Sequence, residues 1–130
     1  PEDVDLAGLA ATKIGVAVMK GLSKSSGKSA SKADDETEIV IDANKHPESA
    51  QHLDEAIQSG KSNEGVIDRA GAANRRKENL KGTKTQKGKD RDEAPPAVVN
   101  TGESARVKHI GSYDNRGSGG SIGRQIRYDF

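Results

Sequence analysis

The sequence contains no cysteine and no tryptophan, and only two tyrosines and one phenylalanine among its 130 residues. The absence of cysteine excludes disulfide bonds, thiolate metal sites and cysteine nucleophiles. The scarcity of aromatic side chains argues against a nucleic-acid platform that stacks bases on aromatic rings. Apolar residues make up only 31% of the chain, against about 45–50% in an average globular protein. We therefore expect a small hydrophobic core accompanied by flexible segments.

The formal net charge is only +1, but acidic and basic side chains are segregated along the chain. Residues 34–55 contain eight carboxylates and one lysine, whereas residues 69–89 contain eight basic side chains and one glutamate. A basic block of this density attracts polyanions such as nucleic acid or anionic lipid, although a solvated lysine-rich loop has the same composition. The candidate DNA-binding residues in the block are Arg75, Arg76, Lys77, Lys81 and Lys84.

The N-terminal segment, residues 4–22, is rich in alanine, glycine, valine and leucine, but two lysines interrupt it. A signal peptide begins with basic residues, and a membrane span needs about 20 largely uncharged residues, so neither is expected. We predict a loosely helical leader, followed by a flexible Ser/Gly/Lys linker at residues 21–33. The predicted organisation is a leader and linker over residues 1–37 and a folded domain over residues 38–130.

Local patterns predict an α+β fold built from short elements. β-Branched runs favour strands, and apolar residues spaced by three and four favour helices. Pro47 suits the first position of a helix, while Pro95 and Pro96 force an extended path before them. The predicted strands cover residues 38–42, 65–68 and 105–110, the helices cover 47–59, 70–80 and 121–128, the segment 90–97 is extended, and the glycine-rich segment 111–120 is a loop.

Three carboxylates occur within four residues in the run Asp90-Arg91-Asp92-Glu93, directly after the basic block. Hard divalent cations take oxygen ligands and keep several waters, so the run is typical of a magnesium site that meets a phosphate. Such a cation can polarise a phosphodiester and activate water. Taken alone, a run of this kind is more often a solvated charged loop.

A second candidate is the glycine-rich stretch at residues 113–120, which precedes the last predicted helix. Loops of this type expose backbone N–H groups to anions, Asn115 offers an amide oxygen to a metal, and Arg116 offers a bidentate phosphate contact. The stretch lacks the GxxxxGK[ST] spacing of a nucleotide P-loop. A glycine-rich turn that caps a helix explains the same residues.

The three histidines show no metal-binding spacing such as HExxH. His52 stands beside Leu53, which favours a structural, hydrogen-bonded role at the edge of the core. His109 lies on a predicted strand beside Ile110, and both histidines are secondary candidates for the site. Without cysteine and without a spaced histidine pair, a zinc site is not expected.

Six segments occur in an order and spacing that resemble the NucA/NucB family of small bacterial deoxyribonucleases, and they span about residues 38–128, roughly 70% of the chain. They are HPESAQH (46–52), VIDR (66–69), NRRKENL (74–80), KDRDEAPPA (89–97), SARVKHI (104–110) and DNRGSGGSIGRQ (114–125). The resemblance implies a metal-dependent, largely sequence-nonspecific DNA endonuclease. It also implies a small ββα-metal core, similar to that of His-Me finger nucleases, after a flexible linker.

The resemblance also implies roles for individual residues. Asp92 replaces the usual histidine as the general base for water, and Asn115 matches the amide ligand of the metal, which would be Mg²⁺ or Mn²⁺. Glu93 and Asp90 orient the site or its metal-bound waters, and Gln125 turns its polar face toward the metal. Arg91 and Arg116 would bind the scissile phosphate. The implied catalytic residues are thus Asp92, Glu93, Arg91 and Arg116, and the implied metal ligands are Asn115, Glu93, Asp90 and Gln125.

The leader and linker resemble the junction of a C-terminal toxin module in a longer secreted polypeptide, and a chain that starts at Pro1 suits a fragment or a processed product. We therefore expect delivery by a bacterium, action in the cytoplasm of a target cell, and a cognate immunity protein as a partner besides DNA. Related secreted enzymes contain disulfides, and this chain has no cysteine. That difference suits a protein that acts inside a cell. A secreted scavenging or DNA-processing nuclease, and a non-catalytic nucleic-acid-binding module, remain alternatives.

Overall fold

The computed structural model describes residues 12–13, 16–23 and 36–126. The strands are β1 (Thr12–Lys13), β2 (Val16–Leu22), β3 (Glu36–Asp42), β4 (Glu64–Ile67), β5 (Lys89–Ala94), β6 (Val99–Asn100) and β7 (Arg106–Gly111). The helices are α1 (Pro47–Gln58), α2 (Ala72–Leu80) and α3 (Ser112–Ile126). Short strands mixed with helices confirm the predicted α+β class. None of the helices in this described part of the chain is long and apolar enough to cross a membrane.

The larger sheet has five strands, with β2 at its centre. β3 pairs antiparallel with β2 along its whole length, from Val16↔Asp42 to Leu22↔Glu36. Because β3 occupies one edge of β2, β1 and β4 share the opposite edge, where β1 runs antiparallel and β4 parallel to β2. β6 extends the sheet beyond β4 in antiparallel pairing.

The predicted helical leader is wrong wherever the structure describes it, because residues 12–13 and 16–22 are strands. Ala17 and Met19, each 1% exposed, pair with Ile41 and Ile39 and share their face of the sheet. Val18 is buried on the other face, so the strand lacks the apolar–polar alternation that would mark it in sequence. The sheet thus includes strands before the predicted domain boundary at residue 38. The remainder of the predicted leader, and residues 24–33 of the predicted linker, lie outside the described residues.

The smaller sheet consists of β5 and β7, which pair antiparallel from Lys89↔Gly111 to Ala94↔Arg106. α3 follows β7 without an intervening loop. β5, β7 and α3 therefore form a ββα unit, as the resemblance implied. α1 packs against β2, β3, β5 and β7, and so joins this unit to the larger sheet.

The hydrophobic core lies between the sheets and the helices α1 and α3. Its small volume follows from the composition, since alanines fill several of its positions. The buried cluster comprises Ala17, Met19, Ile39, Ile41, Ala50, Leu53, Ala56, Ile67, Ala94, Val99, Ile122 and Ile126.

The predicted loop at 111–120 is wrong, because α3 already begins at Ser112. The buried residues of α3 recur every four positions, at Asp114, Ser118, Ile122 and Ile126, so one helical face is continuous from the first turn. Glycine lowers helix propensity, and here tertiary contacts override that preference. Gly117 in particular is needed, because a Cβ there would collide with the His46 ring.

The other predicted elements are confirmed with shifts of one or two residues at their ends. The predicted strands correspond to β3, β4 and β7, and the first two predicted helices to α1 and α2. The extended segment before the prolines is β5. The two-residue strand β6 was not predicted, because it has too few residues to show a periodic pattern.

Candidate active site

The acidic run forms β5, whose only strand partner among the described residues is β7. The side chains alternate, so Asp90 and Asp92 contact α3 and α1, while Arg91 and Glu93 contact α2 and the residues next to it. A cleft of about 200 Å³ opens beside this strand. Its polar lining consists of Arg76, Arg91, Asp92, Glu93, Asn115, Ser49 and Ser118.

Asp92 lines the cleft, and its side chain is largely buried. Its Oδ2 lies 2.6 Å from Nδ1 of His52, and the side chains of His52 and Asp92 are 0% and 13% exposed. Within the described residues, no hydrogen bond engages Oδ1 of Asp92, and Nε2 of His52 has no partner. Burial raises the pKa of Asp92 above its ordinary value, and the hydrogen bond from His52 opposes that rise only in part. An acid with a raised pKa is a better proton acceptor at neutral pH.

Asp90 is fully occupied by hydrogen bonds from the first turn of α3. Its carboxylate accepts Ser112 Oγ at 2.8 Å, Asn115 Nδ2 at 3.0 Å and Arg116 Nε at 3.1 Å. These hydrogen bonds lower the pKa of Asp90, and the bond from Arg116 has the largest effect. Asp90 therefore stays ionised and orients Asn115 and Arg116.

Asn115 presents an amide oxygen to the cleft. Because its Nδ2 donates to Asp90, the side-chain orientation is fixed, and no hydrogen bond within the described chain engages its Oδ1. Nowhere in the described ranges do three His, Asp or Glu side chains converge on a possible metal position. The amide oxygen of Asn115 nevertheless fits a hard divalent cation, which binds mostly through water and needs few protein ligands.

Glu93 connects β5 to α2 and has both carboxylate oxygens engaged. Oε1 accepts from Arg76 Nε at 3.1 Å, and Oε2 accepts from Asn79 Nδ2 at 2.9 Å. Asn79 also accepts the backbone N–H of Ala105. Sequence reasoning missed Asn79, because nothing in the local pattern connects α2 with the residue before β7.

Arg91 donates from its NH1 to the carbonyl of Thr83 at 2.9 Å and to that of Leu80 at 3.4 Å. It thus satisfies carbonyls at the C-terminus of α2 while its side chain lines the cleft. Arg116 is different, because its side chain is 76% exposed beside Asp90. Of the two arginines implied to bind phosphate, Arg116 is the more accessible.

The predicted DNA-binding residues divide into two groups. Arg75 is only 23% exposed and donates to Asp68 Oδ2 at 2.9 Å, to Asp68 O and to Ala97 O. Its guanidinium therefore links α2 to the residues after β4 and β5 and is the least accessible of the predicted DNA-binding groups. Arg76 is 56% exposed at the cleft, and the remaining members, Lys77, Lys81 and Lys84, are exposed on and after α2.

The structure does not bring Gln125 or His109 to the cleft. Gln125 accepts from Val40 N at 2.8 Å and donates to Val40 O at 2.7 Å, so its amide pairs with β3 as a strand would. His109 Nε2 lies 2.7 Å from the carbonyl of Lys84 and holds the basic loop against β7. Both histidines and Gln125 were selected by residue type. His109 pairs with Arg91 through the β5–β7 ladder, but only His52 hydrogen-bonds a side chain of the acidic run.

Comparison with known proteins places these features in a wider context. No protein-family model matches the chain. A curated relative, the DNA-entry nuclease of Bacillus subtilis (strain 168), is 38% identical over 119 residues. The match covers 91% of this chain and 80% of the relative, so it includes far more than the acidic run.

Proposed function

Because the chain belongs to the family of the DNA-entry nuclease, we propose that it is a metal-dependent, largely sequence-nonspecific endonuclease that hydrolyses DNA phosphodiesters. The observation that carries this proposal is the pairing of a buried carboxylate, Asp92, with a free amide oxygen, Asn115, in one cleft. Exposed arginines flank the same cleft. A base, a cation ligand and phosphate-binding groups are the parts that phosphodiester hydrolysis requires.

Asp92 is the general base in this proposal. Oδ2 is held by His52, so Oδ1 accepts the proton of the attacking water. The raised pKa of Asp92, caused by burial, brings its basicity closer to neutral pH. A base of this kind contributes about 10²–10⁴ to a rate.

Two arginines bind the scissile phosphate. Arg76 is exposed and lines the cleft, where it pairs with Glu93. Arg116 follows Asn115 in α3, is exposed, and pairs with Asp90. Guanidinium groups bind phosphate oxygens bidentately and stabilise charge that develops on the phosphorus. The carboxylate partners hold both side chains in place before DNA arrives.

Asn115 is the residue that would hold a divalent cation, with Asp90 fixing the direction of its amide. Bound Mg²⁺ or Mn²⁺ would polarise the phosphodiester and stabilise the leaving oxygen. Glu93 and Asp90 have other partners in the described structure, so in this proposal they orient side chains around the cation. Gln125 has no part in the proposed site.

The DNA would lie along the basic surface formed by Lys77, Lys81 and Lys84, next to Arg76. Side chains of this kind contact the phosphate backbone and read no base edges. The proposed absence of sequence preference follows from that type of contact.

Cleavage of supercoiled plasmid with Mg²⁺, with Mn²⁺ and with EDTA tests the proposal. We expect nicking with either metal and none with EDTA. Asn115→Ala should raise the metal concentration for half-maximal cleavage without changing DNA affinity in EDTA. Asn44→Ala, at an exposed asparagine in the turn before α1, is the matched control and should leave the metal titration unshifted. DNA binding without cleavage under every metal condition would replace the enzyme with a binding module.

For the biological context we propose a toxin module that acts in the cytoplasm of a target bacterium and is neutralised by an immunity protein. The support is the absence of cysteine, which suits a reducing compartment. Expression in a bacterial cytoplasm should reduce colony counts, whereas the Asp92→Asn variant should not. If expression of the parent chain does not affect growth, a secreted scavenging nuclease is favoured instead.

A further inference from the structure

We propose that His52 is a positioning residue, which holds Oδ2 of Asp92 so that Oδ1 alone faces the attacking water. The inference rests on the proposed function, because it concerns the base of that same reaction. It reverses the familiar order in which a carboxylate orients a histidine, since here the histidine orients the carboxylate.

The contact itself is short and enclosed. His52 Nδ1 and Asp92 Oδ2 are 2.6 Å apart, and the histidine side chain is fully buried. The carboxylate group of an aspartate can rotate about the Cβ–Cγ bond and so can present either oxygen to a cleft. A hydrogen bond to one oxygen from an immobile ring leaves the other oxygen in one defined direction.

The second ring nitrogen shows that His52 does not relay protons. Nε2 is buried, and no group in the described residues donates to it or accepts from it. A relay needs a partner on both sides of the ring. In the bond to Asp92, Nδ1 carries the hydrogen, because an ionised carboxylate can only accept.

The element that carries His52 is itself fixed to the helix that carries Asn115. Asp114 of α3 accepts the N–H groups of Glu48 and Ser49, at the start of α1, at 3.0 and 2.9 Å. Ser49 and Ser118 join the same two helices through their hydroxyls at 2.7 Å. Through these bonds α1 and α3 set the position of the base relative to Asn115.

A buried histidine could instead serve the core only, and the two roles predict different substitutions. A side chain that only fills space is best replaced by an apolar residue of similar size, such as leucine. A side chain that positions Asp92 is best replaced by asparagine, whose amide nitrogen occupies the place of Nδ1. Glutamine carries the same amide one carbon further out and is the matched control.

The experiment compares the purified variants His52→Asn, His52→Gln and His52→Leu with the parent chain in plasmid cleavage. We expect His52→Leu and His52→Gln to lower kcat by about 10²-fold, with KM and DNA affinity in EDTA within about twofold, because misplacement of a reacting group has this effect. His52→Asn should keep kcat within about tenfold of the parent. Equal kcat in all four proteins, or a loss that appears in KM instead, would overturn the proposal.

A double-mutant cycle separates positioning from a general loss of packing. In the Asp92→Asn background, His52→Leu should change the residual rate by less than about threefold, because the group it positions is already gone. A further large loss would show that His52 acts independently of Asp92. If His52→Leu does not fold, His52→Gln takes its place in the cycle, and the Asn–Gln comparison decides.

The nitrogen NMR shifts of the His52 ring in the parent chain provide a readout that needs no activity. We expect hydrogen on Nδ1, and an Nδ1 without hydrogen would overturn the proposal. If the parent chain cleaves no DNA under any metal condition, the proposed function fails, while the NMR result still decides the geometry. If the parent cleaves and the variants do not differ, only the role of His52 fails.

Discussion

The two walls of the cleft are built in different ways. The wall formed by α1 and α3 rests on the hydrophobic core and contributes buried residues from both helices. The wall formed by α2 contains no buried residue. Polar bonds hold α2 in place, chiefly those of Arg75 to Asp68 and of Asn79 to Glu93.

This difference assigns separate tasks to the two walls. Catalytic groups must be held within a fraction of an ångström, which a packed core achieves. The proposed base and the proposed cation ligand are accordingly fixed from the α1–α3 side. The proposed DNA surface needs several exposed cations, and α2 and the loop after it can supply them because α2 buries no residue in the core. The predictions below test this division in order of decreasing effect.

The largest effect is expected for Asp92→Asn, at the carboxylate that the packed wall holds through His52. The substitution should lower the cleavage rate by about 10²–10⁴-fold, because it removes the base. Burial raises the pKa of Asp92, so the ionised carboxylate opposes folding at neutral pH. The variant should therefore be at least as stable as the parent in urea unfolding at pH 7. If the folded variant cleaves DNA at the rate of the parent chain, Asp92 is not the base.

The next effect concerns the anchor of α2. Arg75→Met should lower the free energy of unfolding by about 2–3 kcal/mol, because it breaks hydrogen bonds to a charged partner and to backbone carbonyls. Lys77→Met, two residues further along the helix and exposed, should change stability by less than about 0.5 kcal/mol. Urea unfolding midpoints check both values. Similar losses in the two variants would contradict the separation of anchor from DNA surface.

A smaller effect is expected on DNA affinity when the exposed lysines on and after α2 are replaced. Replacing Lys77, Lys81 and Lys84 together by glutamine should flatten the log–log salt dependence of DNA affinity by about 2–3 units, since each phosphate contact contributes about 0.9. The matched control replaces Lys20, Lys45 and Lys61, which gives the same change of net charge away from α2. Fluorescence anisotropy with EDTA present measures both slopes. Equal flattening in the two triple variants would place the DNA elsewhere.

The smallest effect is expected at Glu55 of α1, which forms ion pairs with Lys108 and Arg106 of β7. The hydrogen bond from Lys108, aided by the charge of Arg106, lowers the pKa of Glu55 from 4.5. A lowered carboxyl pKa stabilises the fold above pH 4.5, and that contribution disappears as the pH falls through the folded value. Glu55→Gln should therefore cost less than about 1 kcal/mol at pH 7, and nothing at a pH well below 4.5. A difference that persists in acid would point to packing rather than charge.

The Asp90–Glu93 run and the basic block were recognised from sequence because neighbouring residues carry their signal. The same holds for α1, where Pro47 and the spacing of Leu53 and Ala56 act within a few turns. α3 was placed too late, because its first turns are held by Asp114 and Ser118 through bonds to α1. β2 was missed, because apolar side chains lie on both of its faces and the sequence shows no regular apolar–polar alternation.

The roles within the candidate site depend on contacts between distant parts of the chain. Arg75 and Arg76 are identical in type and adjacent, yet one is a partly buried anchor and the other lies at the cleft. Gln125 was expected near the metal, and the path of α3 carries it to the edge of β3 instead. Neither outcome has a local signal, because each depends on where another segment passes.

By itself the sequence determined the α+β class, the short elements, the acidic strand and the basic helix, because these follow from side-chain type and spacing within a few residues. Only the tertiary structure decided which carboxylate is free to act. His52 and Asp92 are 40 residues apart, and Asp90 and Glu93 differ from Asp92 only in the partners that the fold gives them. Burial and hydrogen bonding set the chemistry of a carboxylate, and both depend on the folded path of the whole chain.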